Sequence, residues 1–309
     1  MIVLTHRRAV ATMLVVTLLW SIAGVVSRHL DSARSFEVTF WRAGANGVAL
    51  LLLLAWWRGP AALWRSIRQG GRTMWLSALC WCVLFTSFML ALTMTTVANV
   101  LITMALAPVF TALISRFVMG QDLPVRTWIA VLLAAIGIGW MYGSQVGAGS
   151  SRDLWGTLVA LTVPIAGATM WTLAQVNARA HPDDHRDMTP AVLLGTTLSS
   201  LLMLPLAWPL QASAHDIGLL TMLGVVQLAI PCVLAVAVGA VLKAPEAALL
   251  GLLEILFGVA WTWLGSDESP TPAVIGGGSL VLVALAVNEV LALRGSRTEP
   301  AALPLSSQA

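Results

Sequence analysis

Trp20-Ser-Ile-Ala-Gly-Val-Val-Ser-Arg28, near the start of the chain, returns past its midpoint as Trp171-Thr-Leu-Ala-Gln-Val-Asn-Ala-Arg179. Tryptophan, hydroxyl, aliphatic, alanine, valine and arginine coincide in order. A second pairing follows: Phe110 falls on Phe257, Gln121 on Glu268, and the small residues Ala130, Gly137 and Gly139 on Gly277, Ala284 and Ala286. Two matches in one order predict a duplicated unit.

Composition says what each copy is made of. Of 309 residues, 58% are hydrophobic and only 10% charged, against about 25% charged in soluble domains. Apolar runs long enough to cross roughly 30 Å of hydrocarbon recur along the chain. The expected spans are 9–27, 38–57, 74–93, 97–118, 126–143, 154–177, 189–208, 217–241, 245–265 and 272–293. His6-Arg7-Arg8 before the first run resembles a signal peptide, but the run is longer than such an apolar region and lacks a small-x-small cleavage site. It is expected to be a retained first helix.

Five spans per copy is an odd number, so the second copy must enter the bilayer from the opposite side. Inverted repeats of this kind are characteristic of carriers, because two similar halves can exchange conformations and open a shared path alternately to either side. The expected fold is therefore an all-α integral membrane protein: ten transmembrane helices as two inverted five-helix repeats. Residues 1–143 form the first repeat, 144–153 a periplasmic linker, 154–294 the second repeat and 295–309 a disordered cytoplasmic tail.

Thirteen Lys and Arg residues fall on the N-terminal side of these spans, and only Arg28, Arg34 and Arg152 on the other. By the positive-inside rule both termini are expected in the cytoplasm of an inner (plasma) membrane. The net charge of +3 is spread over these short loops, which reads as topology and not as a nucleic-acid footprint. Cys80, Cys82 and Cys232 all lie within spans and read as packing residues, without a disulfide framework or metal site.

The residues also resemble the drug/metabolite transporter superfamily, specifically its EamA-type two-repeat members. The stretches that carry the likeness are Leu19-Trp20-Ser21 with Arg28, and Phe40-Trp41-Arg42-Ala43. Further along come Ala98 through Leu106-Ala107-Pro108-Val109-Phe110, ending at Gly120-Gln121, and Ala247-Ala248-Leu249 through Leu252-Leu253-Glu254, ending at Asp267-Glu268. The likeness covers about 9–293. It implies secondary carriers, many exporting amino acids and other metabolites, with helices 1, 3, 4, 6, 8 and 9 around a central cavity and 5 and 10 outside it. The chain departs from the family pattern in having Ile255 after Glu254, Ala107 before Pro108, and Gln121 after Gly120.

Glu254 is the most informative candidate. It lies about nine residues from either end of its span, roughly 14 Å from each interface, too deep to reach water by extending its side chain. An acid there costs on the order of 2–3 kcal/mol, so it should face a cavity or a partner. It reads either as a proton-binding or cation-facing group, or as a protonated acid bonding a neighbouring helix. Arg42 allows three readings: it extends outward to the interface, it attracts an anionic group together with Asn46 one helical turn on, or it pairs with Glu254. Asn99 and Thr103 share a face of span four, Trp171 and Gln175 a face of span six, and Gln227 sits near the middle of span eight. Interhelical hydrogen bonds, typically about 0.6 kcal/mol each, account for any of these, and so does a polar cavity. Among the 14 tryptophans, most lie near span ends, whereas Trp20, Trp81, Trp171 and Trp261 are deeper and read as core or as cavity lining.

His181, Asp183, Asp184 and His185 read as a solvated loop, since Pro182 interrupts any helix that could align the histidines. Glu289 reads as an interfacial acid beside Arg294. The expected function is secondary active transport by alternating access, exporting small metabolites such as amino acids or related compounds. The expected partners are a small solute, the lipid bilayer and protons as a coupling ion; no cofactor and no nucleic acid are expected. A membrane-embedded enzyme would want several ionisable groups converging at one depth, whereas one deep acid is found, and neither His-Glu-x-x-His nor Gly-x-Ser-x-Gly occurs. A non-transporting receptor or scaffold lacks a soluble signalling domain. Alkaline phosphatase fused within 144–153 is expected to be active, and the same enzyme fused at the C-terminus inactive; activity at both would reject the odd-numbered repeat.

Overall fold

The hydropathy pattern condenses into helices throughout the computed structural model, which describes residues 5–33, 35–119, 125–143, 151–180, 188–239, 244–265 and 271–298. In chain order these are α1 (His6–Ser21), α2 (Ala23–Ser27), α3 (Ser35–Arg58), α4 (Pro60–Gln69), α5 (Gly71–Met94), α6 (Val97–Met104) and α7 (Ala107–Met119). There follow α8 (Val125–Gly143), α9 (Ser151–Ala180), α10 (Thr189–Ala207), α11 (Ala214–Met222), a π-helical turn (Leu223–Ala229), α12 (Ile230–Gly239), α13 (Ala244–Gly265) and α14 (Pro272–Thr298). No strand occurs among the described residues. Among the described residues, seven segments are long and apolar enough to cross a membrane, and Leu253–Gly265 and Ile275–Asn288 are apolar but shorter.

Three of the expected spans are interrupted, each for a local reason. The first breaks at Ile22, between α1 and α2. Before the break, Thr17 and Ser21 turn their hydroxyls back onto Leu14 O and Leu18 O, an arrangement that bends helices. The fourth breaks between α6 and α7, where Leu106 N–H bonds the carbonyl of Thr103, three residues back. Pro108, which has no N–H to continue the ladder, sits in the first turn of α7. The eighth widens into the π turn, with Ile230 N–H bonding Val225 O, five residues back. Pro231 explains it: its ring crowds the carbonyl of Gln227 and offers no N–H to it, so the preceding turn opens.

The connection at 58–73, between the second and third expected spans, contains α4. Pro60 starts it, and Leu63 and Ile67, one turn apart, pack onto the cluster that holds Leu50 and Leu54. Trp64 on the other face is exposed.

Helix packing relies on small residues. α3 packs on α10 and α11, α5 on α9 and α10, and α8 on α14. A β-carbon at Gly137 would lie 2.7 Å from Gly277 O, so α8 and α14 meet there at a distance that only a missing side chain allows. At Gly224, in the π turn, a β-carbon would lie 2.6 Å from Arg42 O and 2.9 Å from Asn46 N. Only glycine lets this turn lie directly on α3.

Two fully buried acids tie loops together at one end of the bundle. Glu37, in the first turn of α3, accepts the backbone N–H groups of Gln211 and Ala212 at 2.8–3.0 Å and the Trp41 indole N–H at 3.3 Å. Asp216, in the first turn of α11, accepts from the backbone of Asp31, Ser32 and Ala33 at 2.8–2.9 Å, and from the Ser32 hydroxyl. It also closes a capping box with Ser213. Each acid holds the loop that leads into the other acid's helix. The Asp216→Ala substitution leaves several backbone N–H groups without an acceptor, at about 1–3 kcal/mol each. The protein in nanodiscs is expected to lose at least about 3 kcal/mol of stability, and Asp216→Asn less; an unchanged melting temperature for Asp216→Ala would refute this role.

Candidate functional site

Arg42 projects from α3 into the protein. It is 3% exposed, so its side chain does not extend outward to the interface. Its Nε and Nη2 donate to Gln227 Oε1 at 3.2 and 2.7 Å, and the guanidinium carbon lies 5.5 Å from the centre of the Phe88 ring. Gln227 is 2% exposed and sits in the π turn. Its Nε2 donates to Trp20 O at 3.1 Å, two residues before the break in the first span. Arginine can only donate, which fixes the amide with its oxygen toward Arg42 and its nitrogen toward the carbonyl. The Trp20 side chain lies beside the Cys232 thiol. Both ends of the network thus rest on irregular backbone.

One turn from Arg42, Asn46 donates to Thr196 Oγ1 at 3.1 Å, and that hydroxyl donates to Ala43 O at 2.9 Å. Because the hydroxyl proton is used on Ala43, Asn46 must present its nitrogen, which leaves Asn46 Oδ1 buried and without a partner among the described residues. Ser200 continues this seam by donating to Phe40 O at 3.1 Å, and Thr86 and Ser199 link α5 to α10 at 2.8 Å.

Glu254 lies on α13 and is half-buried. Leu256, Trp263 and Leu264, exposed, mark the outer face of this helix, and the helical period puts Glu254 opposite them. Gly258, on Glu254's side, packs against Leu101. Space is open beside Gly251, one turn before Glu254. Glu254 is within electrostatic reach of Arg42 and Cys232. No direct ion pair joins it to Arg42, whose hydrogen bonds go to Gln227. Further along α13, Trp261 donates its indole N–H to Ser21 Oγ at 3.1 Å.

Arg42, Gln227 and Trp20 therefore come together, with Asn46 adjacent and Glu254 within electrostatic reach. Trp81 stacks on Phe85 with ring centres 5.2 Å apart and shares an apolar cluster with Trp20. Asn99 and Thr103 are buried on α6; Asn99 donates to Thr95 Oγ1 at 3.0 Å and Thr103 to Asn99 O at 2.7 Å. The side chains of Trp171, Gln175 and Glu289, and the whole of 181–187 with its His181–His185 cluster, lie outside the described residues. Cys232, read from the sequence as a packing residue, lies beside the centre, and Thr196, not singled out in the sequence, adjoins it. The run Thr196-Thr197-Leu198-Ser199-Ser200 was the visible signal for the α3–α10 seam.

Asp31, His215 and Asp216 offer ligand atoms within 4.8 Å of one another, with His215 Nδ1 3.2 Å from Asp31 Oδ2. The Asp216 oxygens are already taken by backbone N–H groups, which makes them poor metal donors. Elsewhere, Arg28, Thr93–Thr96, Arg152 and Asp153 line an open depression of about 470 Å³, with Arg28 and Arg152 donating to Thr95 O and Thr93 O.

A buried cation, an acid within its electrostatic reach and interrupted helices thus sit within a bundle of apolar helices, several long enough to cross a membrane. The model of the EamA-like transporter family matches residues 7–143. The pseudopaline exporter CntI of Pseudomonas aeruginosa, in strains UCBPP-PA14 and PAO1, is 25% identical over 251 residues, covering 80% of this chain and 84% of the exporter. A crystal structure at 19% identity shares the fold with a TM-score of 0.64, over 94% of this chain and 99% of the other. Together these matches support a membrane transporter of the EamA type, in the drug/metabolite transporter superfamily.

Proposed function

We propose that this protein is a secondary active transporter of the inner membrane that exports small metabolites such as amino acids or related compounds. Residues 1–143 and 154–294 are the two inverted five-helix repeats, joined by 144–153, with both termini cytoplasmic. Transport proceeds by alternating access of the Arg42–Gln227–Glu254 centre. The reading is carried by one observation: a charged, hydrogen-bonded network sits where the first and eighth spans are irregular. Broken helices at mid-span are where carriers build their solute and ion sites. The exporter relatives support outward transport, and the half-buried Glu254 supports proton coupling.

In this scheme Glu254 takes up a proton or an amine from the open side, and Arg42 holds the counter-charge. Asn46, Trp20 and Trp81 line the solute side of the same centre, and Asn99, Thr103, Trp171 and Gln175 belong to the helices that enclose it. Purified protein in liposomes is expected to move radiolabelled amino acids faster when a pH gradient is imposed. Glu254→Gln is expected to reduce the gradient-dependent part to background. Full gradient-dependent flux through Glu254→Gln would reject the coupling role.

A further inference from the structure

Arg42 carries five N–H donors, and Gln227 Oε1 alone accepts from both Nε and Nη2. Along that edge of a guanidinium a carboxylate binds with both oxygens, in two parallel charge-assisted bonds. A primary amide has the planar outline of a carboxylate but no charge. Arg42 Nη1 has no acceptor among the described residues, and the acid whose charge Arg42 feels, Glu254, makes no ion pair with it. The carboxylate-shaped position beside a buried cation is thus filled by a neutral side chain.

We infer that Gln227 is a placeholder for the carboxylate of the solute: the Arg42 centre takes a carboxylate-bearing ligand, which displaces the Gln227 amide oxygen from Nε and Nη2. That the ligand is cargo rests on the carrier reading above; the binding chemistry belongs to these side chains alone. Displacement replaces a neutral acceptor with a charged one, whose hydrogen bonds are about twice as strong. Gln227 can yield because it rides on a π turn, whose extra residue can pass along the helix and rotate the side chain away. A tetrahedral phosphate or sulfonate is bulkier than the amide it would replace. An amine without a carboxylate leaves Arg42 with no gain in exchange for losing Gln227.

The test needs no knowledge of the natural solute. Full-length protein in nanodiscs is melted in equal concentrations of sodium acetate, sodium chloride or acetamide. Wild type is expected to gain about 2–4 °C in acetate over chloride and nothing in acetamide. The Gln227→Ala variant, with the position vacated, should gain more. Arg42→Gln should gain nothing, and neither should Gln227→Glu, which fills the position with its own carboxylate. If Gln227→Ala does not fold, wild type against Gln227→Glu decides. Equal acetate responses in wild type and Gln227→Glu, or no response in wild type, would overturn the inference. Acetate stabilisation without flux of any amino acid would leave the carboxylate site standing and defeat the carrier reading. Flux without acetate stabilisation would do the reverse.

Discussion

A guanidinium 3% exposed inside an apolar bundle is the constraint around which the rest is arranged. Leaving such a charge without a partner costs about 3–5 kcal/mol, so the protein must bring acceptors to it. Gln227 does this because Pro231 opens the preceding turn and Gly224 lets that turn lie on α3. Trp20 holds the amide from the other side through a main-chain carbonyl next to a helix break. A regular α-helix in the eighth span would direct the same side chain elsewhere.

The centre is flanked by contacts of a different character. The α3–α10 seam is knit by Thr196, Ser200 and Asn46 with close glycine approaches, and the Glu37 and Asp216 clamps satisfy whole loops at once. These join parts of the chain some distance apart in sequence into one body. α13 meets α1, α2 and α6 largely through apolar and small residues, with open space beside Gly251.

What the residues disclosed in advance follows from the physics each signal reports. Hydropathy fixes where apolar helices run, because the cost of exposed backbone in hydrocarbon leaves no alternative to helix, and Arg42, Gln227 and Glu254 stood out as polar groups in the wrong solvent. The partnership between Arg42 and Gln227 was not legible, since it depends on the register of two helices far apart in sequence. Pro231 was visible, but proline alone does not say whether a helix kinks, stops or widens. Glu37 and Asp216 passed unnoticed because acids near span ends ordinarily face water, although the Ser213-x-x-Asp216 spacing is a capping pattern. In α4, Leu63 and Ile67 are too few in a basic stretch to signal a buried helix face.

The central claim is that Arg42 and Gln227 act as one unit, and a double-mutant cycle measures that directly. Arg42→Met and Gln227→Met, singly and together, would be compared by unfolding the nanodisc-embedded protein. Either single change strands a buried partner, whereas the double change removes both. The double variant is therefore expected to be more stable than the sum of the single losses implies, by about 1.5–3 kcal/mol. Losses that add to within about 0.5 kcal/mol would show that the two side chains are merely neighbours.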